Sequence, residues 1–214
     1  MRPIGVAARV IAAVAAASLA GLSGADHAAA FTQHAAQAPP PGGVLWTRFH
    51  SGTFGGAGTS IAVSQSGNAV FAAGFDSLGT SAAFATVAYN PTTGTQMWAS
   101  RYSGPGATST VTAVAVSPDG TKVFVTGSSE GNGTNRDYAT VAYNAATGKQ
   151  LWVKRYNGPV NTGDDPAAIK VAPDGKTVFV TGTSQGVGVG VDYTTIAYNA
   201  NTGQQLWVSR YNNP

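Results

Sequence analysis

The four tryptophans of this chain recur at a nearly constant spacing, and this recurrence constrains the fold more than any other feature. Trp46, Trp98, Trp152 and Trp207 are separated by 52, 54 and 55 residues. Each of the last three closes the same phrase, in which Tyr-Asn is followed by Thr-Gly and, four residues later, by Trp. A fixed period in this range is the signature of a repeat architecture.

A second phrase lies between the tryptophans. Ser-Pro-Asp-Gly followed by an apolar run spans residues 117–127, returns as Ala-Pro-Asp-Gly at 172–182, and has a divergent copy at 64–74. Pro presets the first central position of a turn, and Gly accepts the positive φ that follows. The middle unit therefore predicts two hairpins in series, with strands at 111–117, 122–128, 138–144 and 149–156.

The apolar pattern indicates how these sheets pack. In a sheet with one face exposed to solvent, apolar and polar residues alternate strictly along each strand. Here residues 123–125 (Val-Phe-Val) and 151–153 (Leu-Trp-Val) are continuous apolar runs. Both faces must then be covered by neighbouring copies, which predicts an all-β propeller of four-stranded antiparallel blades. A two-layer sandwich is the alternative, but it does not explain the period.

The N-terminus predicts an exported protein. Residues 1–30 read as a signal peptide, with arginines at its start, an uncharged stretch from Val10 to Ala25, and cleavage after Ala30. The alternative is an uncleaved anchor, but this stretch is shorter than the roughly twenty apolar residues of a membrane span. Residues 31–43 read as a flexible Pro/Gly linker. We expect a secreted, cell-surface or periplasmic protein with no membrane attachment after cleavage.

Charge excludes one class of partner. Without residues 1–30 the chain keeps 10 basic and 8 acidic side chains, and the basic ones are scattered once or twice per repeat. No basic stripe is left to follow a phosphate backbone, so nucleic acid is not an expected partner.

The phrase at 142–152, Ala-Tyr-Asn-Ala-Ala-Thr-Gly-Lys-Gln-Leu-Trp, resembles the tryptophan-docking repeat of quinoprotein-dehydrogenase-like (pyrroloquinoline-quinone-like) propellers. The resemblance covers residues 44–214, and the hairpin beginning at Ser117 also resembles bacterial surface-propeller repeats. It implies a structural role in which each tryptophan fills the gap to an adjacent blade, for Trp46, Trp98, Trp152 and Trp207. It implies little about activity, since such propellers host many functions.

The blade count is incomplete. Four strands are present three times, at about 59–102, 111–156 and 167–211, and an extra fourth strand is expected at about 44–49 around Trp46. Closed propellers have about four to eight blades. We therefore expect an open arc, the N-terminal part of a longer propeller, that is able to self-associate through its open blade faces.

Candidate sites are few, and we expect no catalytic residues. Asp164 and Asp165 are weak metal candidates, because a Ca²⁺ site needs about six to eight oxygens and their segment offers fewer. Asp137 and Asp192 occupy equivalent positions where the first blade has Ala83, and we expect them to accept hydrogen bonds between blades; the alternative is a role as ligands. The Gly-rich run at 186–190 precedes a strand, not a helix, so it is not a phosphate loop.

These observations predict a non-catalytic exported propeller with a binding or scaffolding role, without a cofactor and with an unknown protein or glycan ligand. One alternative is a fragment of a quinoprotein dehydrogenase that uses pyrroloquinoline quinone and Ca²⁺. The other is a carbohydrate-binding propeller, indicated only by Tyr, Asn and Trp at the surface.

Overall fold

Each repeat forms one blade. The computed structural model describes residues 43–50, 55–188 and 190–211. Three antiparallel sheets follow one another, each with its four strands in sequence order, and we call them blades 1, 2 and 3. The strands are β1 Gly56–Val63, β2 Val70–Ser77, β3 Ala82–Tyr89, β4 Gln96–Tyr102, β5 Ser109–Val116, β6 Lys122–Glu130, β7 Arg136–Asn144, β8 Gln150–Tyr156, β9 Asp164–Val171, β10 Thr177–Gln185, β11 Val191–Asn199 and β12 Gln205–Tyr211. The predicted all-β propeller blades are confirmed.

The repeated turns set the register of the hairpins. Gly120 has a φ of 69° and Gly148 a φ of 70°, a left-handed conformation that residues with a Cβ rarely adopt. In the first of these turns the pKa of Asp119 is lowered to about 2, because the hydroxyl of Ser117 and the backbone N–H of Thr121 donate to its carboxylate. Such Asx bonds let the turn form locally, before any blade contact is made.

The continuous apolar runs serve two interfaces at once. On β6, Val123 and Val125 join the core between blades 1 and 2, while Phe124 between them joins the core between blades 2 and 3. All three side chains are fully buried. Successive side chains point to opposite faces of a sheet, so a strand with both faces covered needs no polar alternation.

The two outer faces of the arc are open in the described part of the chain. On blade 1, Ile61 and Val63 are exposed, and on blade 3, Tyr193, Trp207 and Tyr211 are exposed. Within residues 55–211 the three sheets form an open arc, as the blade count predicted.

Residues 43–50 run alongside blade 1 without forming a ladder with any described strand. We predicted this segment as the fourth strand of a blade whose other three strands are missing from the sequence. It reaches blade 1 through side chains, which are described below. The predicted signal peptide and all of the linker except Gly43 lie outside the described residues. Among the residues that the structure does describe, no helix is long and apolar enough to cross a bilayer.

A substitution pair tests the blade contact made at the Thr-Gly turn. In Gly148→Ala the new methyl group would lie 2.7 Å from the ring of Trp98, whereas at Gly120 nothing lies within 4 Å of a Cβ. Both changes carry the left-handed penalty of about 1–2 kcal/mol. We expect Gly148→Ala to lose about 1–3 kcal/mol more, because a tightly packed contact must open. Urea denaturation of the two variants measures the difference, and equal losses would contradict the contact.

Candidate functional site

Each blade joint, meaning the contact between consecutive sheets, is closed by a tryptophan from one blade on the turn of the next. The indole Nε1 of Trp98 donates to the carbonyl of Ala145 at 2.8 Å, and its ring lies against Gly148. Trp152 repeats this on the carbonyl of Ala200 at 3.1 Å and on Gly203. The ring lies where a Cβ would be, so only glycine fits at the turn.

Trp46 makes the same contact from outside any sheet. Its Nε1 donates to the carbonyl of Pro91 at 2.7 Å, and its ring lies against Gly94 and 6.0 Å from the ring of Tyr89. Arg48 then donates from Nε to the carbonyl of Gly94 at 2.9 Å, which parallels the bond from Ser100 to Gly148 in the next joint. The segment thus takes the place of a preceding blade's fourth strand.

One rim of the arc carries a charged cluster at every joint. In blade 2, Arg155 donates from Nη2 to Asp137 at 2.8 Å and from Nη1 to Ser129 at 2.7 Å. The same guanidinium reaches the hydroxyl of Tyr102, on blade 1, at 3.3 Å. In blade 3, Arg210 meets Asp192 at 3.1 Å and the hydroxyl of Tyr156, on blade 2, at 2.9 Å. We call these groups the rim clusters.

Blade 1 has a rim cluster that the sequence analysis missed. Ala83 occupies the position of Asp137, but its register partner on β2 is Asp76, whereas Asp137 pairs with Ser129. The carboxylate has therefore moved to the adjacent strand, and Arg101 still reaches it, with Nε 2.6 Å from Asp76. The repeated Arg-Tyr pairs were the signal, because each arginine implies a carboxylate on its own blade.

His50 completes this first cluster. It lies four residues after Trp46, as Tyr102 lies four after Trp98, and its Nε2 is 3.4 Å from Asp76. The imidazole thus occupies the place that tyrosine takes in the two following joints. All three clusters link one blade's fourth strand, or its substitute, to the next blade.

The rim arginines are held charged. Burial acts to lower the pKa of Arg155, but hydrogen bonds to Tyr102 and Asp137 outweigh it, and the pKa is raised. The pKa of Arg210 is raised in the same way: burial lowers it, and Asp192 and Tyr156 more than compensate. The clusters of blades 2 and 3 are therefore partly buried ion pairs whose arginines are held charged. Asp137 and Asp192 pair with an arginine of their own blade, and it is that arginine that reaches the neighbouring tyrosine.

The two weak metal candidates have different surroundings. Asp164 is fully buried, and its Oδ2 accepts from the backbone N–H of Gly158 at 2.7 Å. Asp165 accepts from Ser128 at 2.7 Å and from Arg136 at 3.1 Å. Being successive residues of β9, they point to opposite faces of the sheet. Within the described residues no group of three His, Asp or Glu side chains could hold a metal ion.

Asp164 sits where blade 2 has a serine. Asp164 pairs in register with Ser184, as Ser109 pairs with Ser129. In blade 2 the two hydroxyls bond each other at 2.9 Å, whereas in blade 3 the buried carboxylate of Asp164 replaces one of the hydroxyls. Burial raises the pKa of Asp164 and outweighs the hydrogen bonds from Ser184 and from the backbone N–H of Gly158, which act to lower it.

A cleft of about 380 Å³ opens on the same rim, between the β6–β7 and β8–β9 loops. The loops are tied together by Asn135, which donates to the carbonyl of Asn161 at 3.3 Å, and by Asn161, which donates to the carbonyl of Gly133 at 3.2 Å. The cleft is polar and carries both signs of charge; its lining residues are Glu130, Thr134, Asn135, Arg136 and Gly163.

Comparisons with known proteins agree with this architecture. The family model described as outer membrane protein assembly factor BamB matches residues 83–214. No curated protein sequence matches the chain significantly. This match supports the predicted pyrroloquinoline-quinone-like propeller repeat.

Among solved structures, the WD40 repeats of RRP9 are similar with a TM-score of 0.53 and 16% identity over 80% of this chain. The β-propeller domain of the trilobed protease from Pyrococcus furiosus is similar with a TM-score of 0.48 and 10% identity over 74% of this chain. The chain spans 43% of the length of each of these two structures. At 16% identity the likeness to the RRP9 repeats shows the propeller fold alone.

The rim clusters predict unequal costs for two arginine substitutions. Arg155→Met leaves the buried carboxylate of Asp137 without its cation, and we expect a loss of about 3–5 kcal/mol. Arg136→Met removes a pair whose side chains are 56% and 41% exposed, and we expect a loss below about 1 kcal/mol. Denaturation curves at neutral pH compare them. A loss in Arg155→Met no larger than in the control would show that the cluster contributes little.

Asp164→Ser introduces the residue that blade 2 has at this position, and we expect it to stabilise blade 3 at neutral pH, because it removes a carboxylate whose charged form is disfavoured by burial. The raised pKa gives the sign of the pH dependence. The folded state holds this proton more tightly than the unfolded state, so the wild type gains stability as the pH falls from the raised pKa towards about 3.9. The advantage of the variant should shrink over that range in denaturation series. An advantage that is constant with pH would contradict it.

Proposed function

The chain belongs to the family described as outer membrane protein assembly factor BamB, and from this premise we propose that it is an exported, non-catalytic propeller-repeat protein that binds a polypeptide at the rim cleft. The description names an assembly factor for proteins, and we carry over from it only the class of partner. The observation that supports the proposal is the composition of the cleft, which offers an amide, a hydroxyl and both signs of charge at its surface.

The cleft suits the backbone of a peptide. Asn135 and Arg136 are exposed, and between them they offer amide N–H groups, an amide oxygen and a guanidinium. A peptide backbone presents one donor and one acceptor per residue, and such groups match the mixed polar lining. The lining residues include no aromatic side chain on which a flat ligand could stack.

The non-catalytic part of the proposal follows from how the rim carboxylates are used. Asp76, Asp137 and Asp192 are buried, and each lies within 3.1 Å of an arginine of its own blade. A general acid or base must be within hydrogen-bond reach of its substrate. We therefore assign these carboxylates a structural role at the blade joints.

Export is supported by the signal-peptide pattern of residues 1–30 and by the outer membrane named in the family description. Cleavage after Ala30 makes Phe31 the first residue of the mature protein. N-terminal sequencing of the protein recovered outside the cytoplasm tests this part, and a mature chain that starts at Met1 would contradict it.

Binding is tested with the full chain, after any processing by the expression host. The protein is immobilised and screened against phage-displayed random peptides. We expect selected peptides to bind the wild type and to lose about tenfold or more in affinity for Asn135→Ala and Arg136→Ala, since the cleft surface supplies their hydrogen bonds. The matched control is Asn201→Ala, an exposed asparagine in the turn at the opposite edge of blade 3.

Three results would overturn the proposal. Peptides that bind the wild type and the two cleft variants equally would place binding elsewhere. Saturable binding of pyrroloquinoline quinone with Ca²⁺, accompanied by dehydrogenase turnover, would make the chain an enzyme. Selective retention on a glycan array, with no peptide selected, would make the ligand a carbohydrate.

A further inference from the structure

We propose that Asn132 is a site of spontaneous deamidation, a reaction that converts its side-chain amide to a carboxylate on the rim of blade 2. The residue lies in the β6–β7 loop, which contributes to the lining of the rim cleft. The chain contains one other Asn-Gly dipeptide, Asn157-Gly158, and the structure distinguishes the two. The inference needs no ligand in the cleft and is independent of the proposed function.

An asparagine followed by glycine carries both partners of a ring closure, a side-chain amide and a backbone N–H. The backbone nitrogen of the glycine attacks Cγ of the asparagine, so that an N–Cγ bond forms and the Cγ–Nδ2 bond breaks. The Nδ2 group leaves as ammonia, with the proton that the backbone nitrogen gives up. Water then opens the five-membered succinimide at either of its carbonyls, which leaves aspartate or isoaspartate. The reaction consumes water alone and involves no change of oxidation state.

Two conditions decide whether this ring closes in a folded protein. The side chain of the asparagine must be free to turn towards the next residue, and the backbone nitrogen of that residue must be free to approach Cγ and to give up its proton. Glycine favours the approach because it has no Cβ and many accessible backbone conformations. A hydrogen bond donated by the backbone N–H opposes it, because that bond holds both the nitrogen and its proton in place.

The pair Asn132-Gly133 meets both conditions. Both residues are exposed, and apart from the chain neighbours nothing lies within 4 Å of the place that a Cβ of Gly133 would take. In the part of the chain that the structure describes, neither the side chain of Asn132 nor the backbone N–H of Gly133 forms a hydrogen bond. The carbonyl of Gly133 accepts from Asn161 at 3.2 Å, but this bond leaves the attacking nitrogen free.

The pair Asn157-Gly158 meets neither condition. The backbone N–H of Gly158 donates to Oδ2 of the fully buried Asp164 at 2.7 Å. The side chain of Asn157 donates from Nδ2 to Oδ1 of Asn161 at 3.1 Å. A Cβ on Gly158 would overlap the hydroxyl oxygen of Ser184, so this glycine is packed on the side where Gly133 has open space. The same dipeptide is therefore held in a conformation that must break before the ring can close.

Deamidation at position 132 would change the charge of the rim cleft. The cleft lining carries one acidic and one basic side chain, Glu130 and Arg136, which pair in register at the two ends of the loop. A new carboxylate between them makes this charge balance negative. Isoaspartate also adds one carbon to the backbone before Gly133, which displaces the carbonyl that Asn161 contacts. One of the two ties between the β6–β7 and β8–β9 loops is thereby weakened.

Peptide mapping by mass spectrometry measures the reaction in the full chain, after any processing by the expression host, during incubation at mildly alkaline pH over days to weeks. We expect the peptide that contains Asn132 to gain the mass difference between NH₂ and OH and to separate into aspartate and isoaspartate forms. The peptide that contains Asn157 should convert about tenfold or more slowly, because a hydrogen bond must break there first. The rate at Asn132 should rise with pH, because the attacking nitrogen must lose its proton.

Two controls separate the effect of the structure from that of the dipeptide. In denaturant both Asn-Gly pairs lose their surroundings, and we expect their rates to converge. In the folded protein Asp164→Ala removes the acceptor of the Gly158 N–H. It should raise the rate at Asn157 about tenfold and leave the rate at Asn132 unchanged. Circular dichroism confirms that the variant is folded before the rates are compared.

A substitution pair tests the attacking nitrogen itself. Gly133→Ala should abolish the modified product at Asn132, because the new Cβ crowds the approach of the backbone nitrogen to Cγ. Gly120→Ala is the matched control, since Gly120 has a similar left-handed backbone with open space around it and lies outside the loop. We expect the control variant to deamidate at the rate of the wild type.

The proposal is wrong if any of three results is obtained. The first is an Asn132 peptide that stays unmodified in the folded protein, whether or not it converts in denaturant. The second is conversion of Asn132 and Asn157 at equal rates in the folded protein. The third is conversion in Gly133→Ala as fast as in Gly120→Ala. All three are read from the masses of the chain's own peptides with no ligand present, so this proposal and peptide binding at the rim cleft fail separately.

Discussion

The contact between a tryptophan ring and a left-handed glycine holds this structure together. The turn at Gly148 needs a residue without a Cβ for its backbone conformation, and the ring of Trp98 then occupies the space that a Cβ would fill. One residue thereby meets a local and a long-range requirement together. The indole N–H adds direction, because it must find a carbonyl in the same turn. Without this contact the sheets would have apolar faces but no unique way to align.

The rim clusters complement this contact at the other end of each joint. A buried ion pair contributes little net stability unless its geometry is good, but it penalises any arrangement that separates the partners. Here the ion pair lies within one blade, and the tyrosine of the preceding blade accepts from the same arginine, so a blade shifted from its place would lose that hydrogen bond. Blade 1 shows that the requirement applies to the cluster and not to a fixed position, since Asp76 supplies from β2 the carboxylate that Asp137 supplies from β7.

Much of this could be predicted from local patterns. The strands of blade 2 were predicted to within two residues of their observed ends, because turn residues and apolar runs are local signals. The cluster at Asp76 could not be found in the same way, since it depends on which side chains share a face across two strands. Asp164 is a similar case. The sequence offered it with Asp165 as a weak metal candidate, yet it begins β9 and is buried, while Asp165 faces the other side.

By itself, the sequence determined the number of blades in this chain, the turns that define them and the tryptophans that join them, because periodicity and turn chemistry are properties of short segments. Only the tertiary structure decided what those tryptophans meet. Trp207 closes the same phrase as Trp98 and Trp152, yet it is exposed, whereas Trp46 lacks that phrase and still rests on a turn. The environment of each side chain is set by the blade beside it.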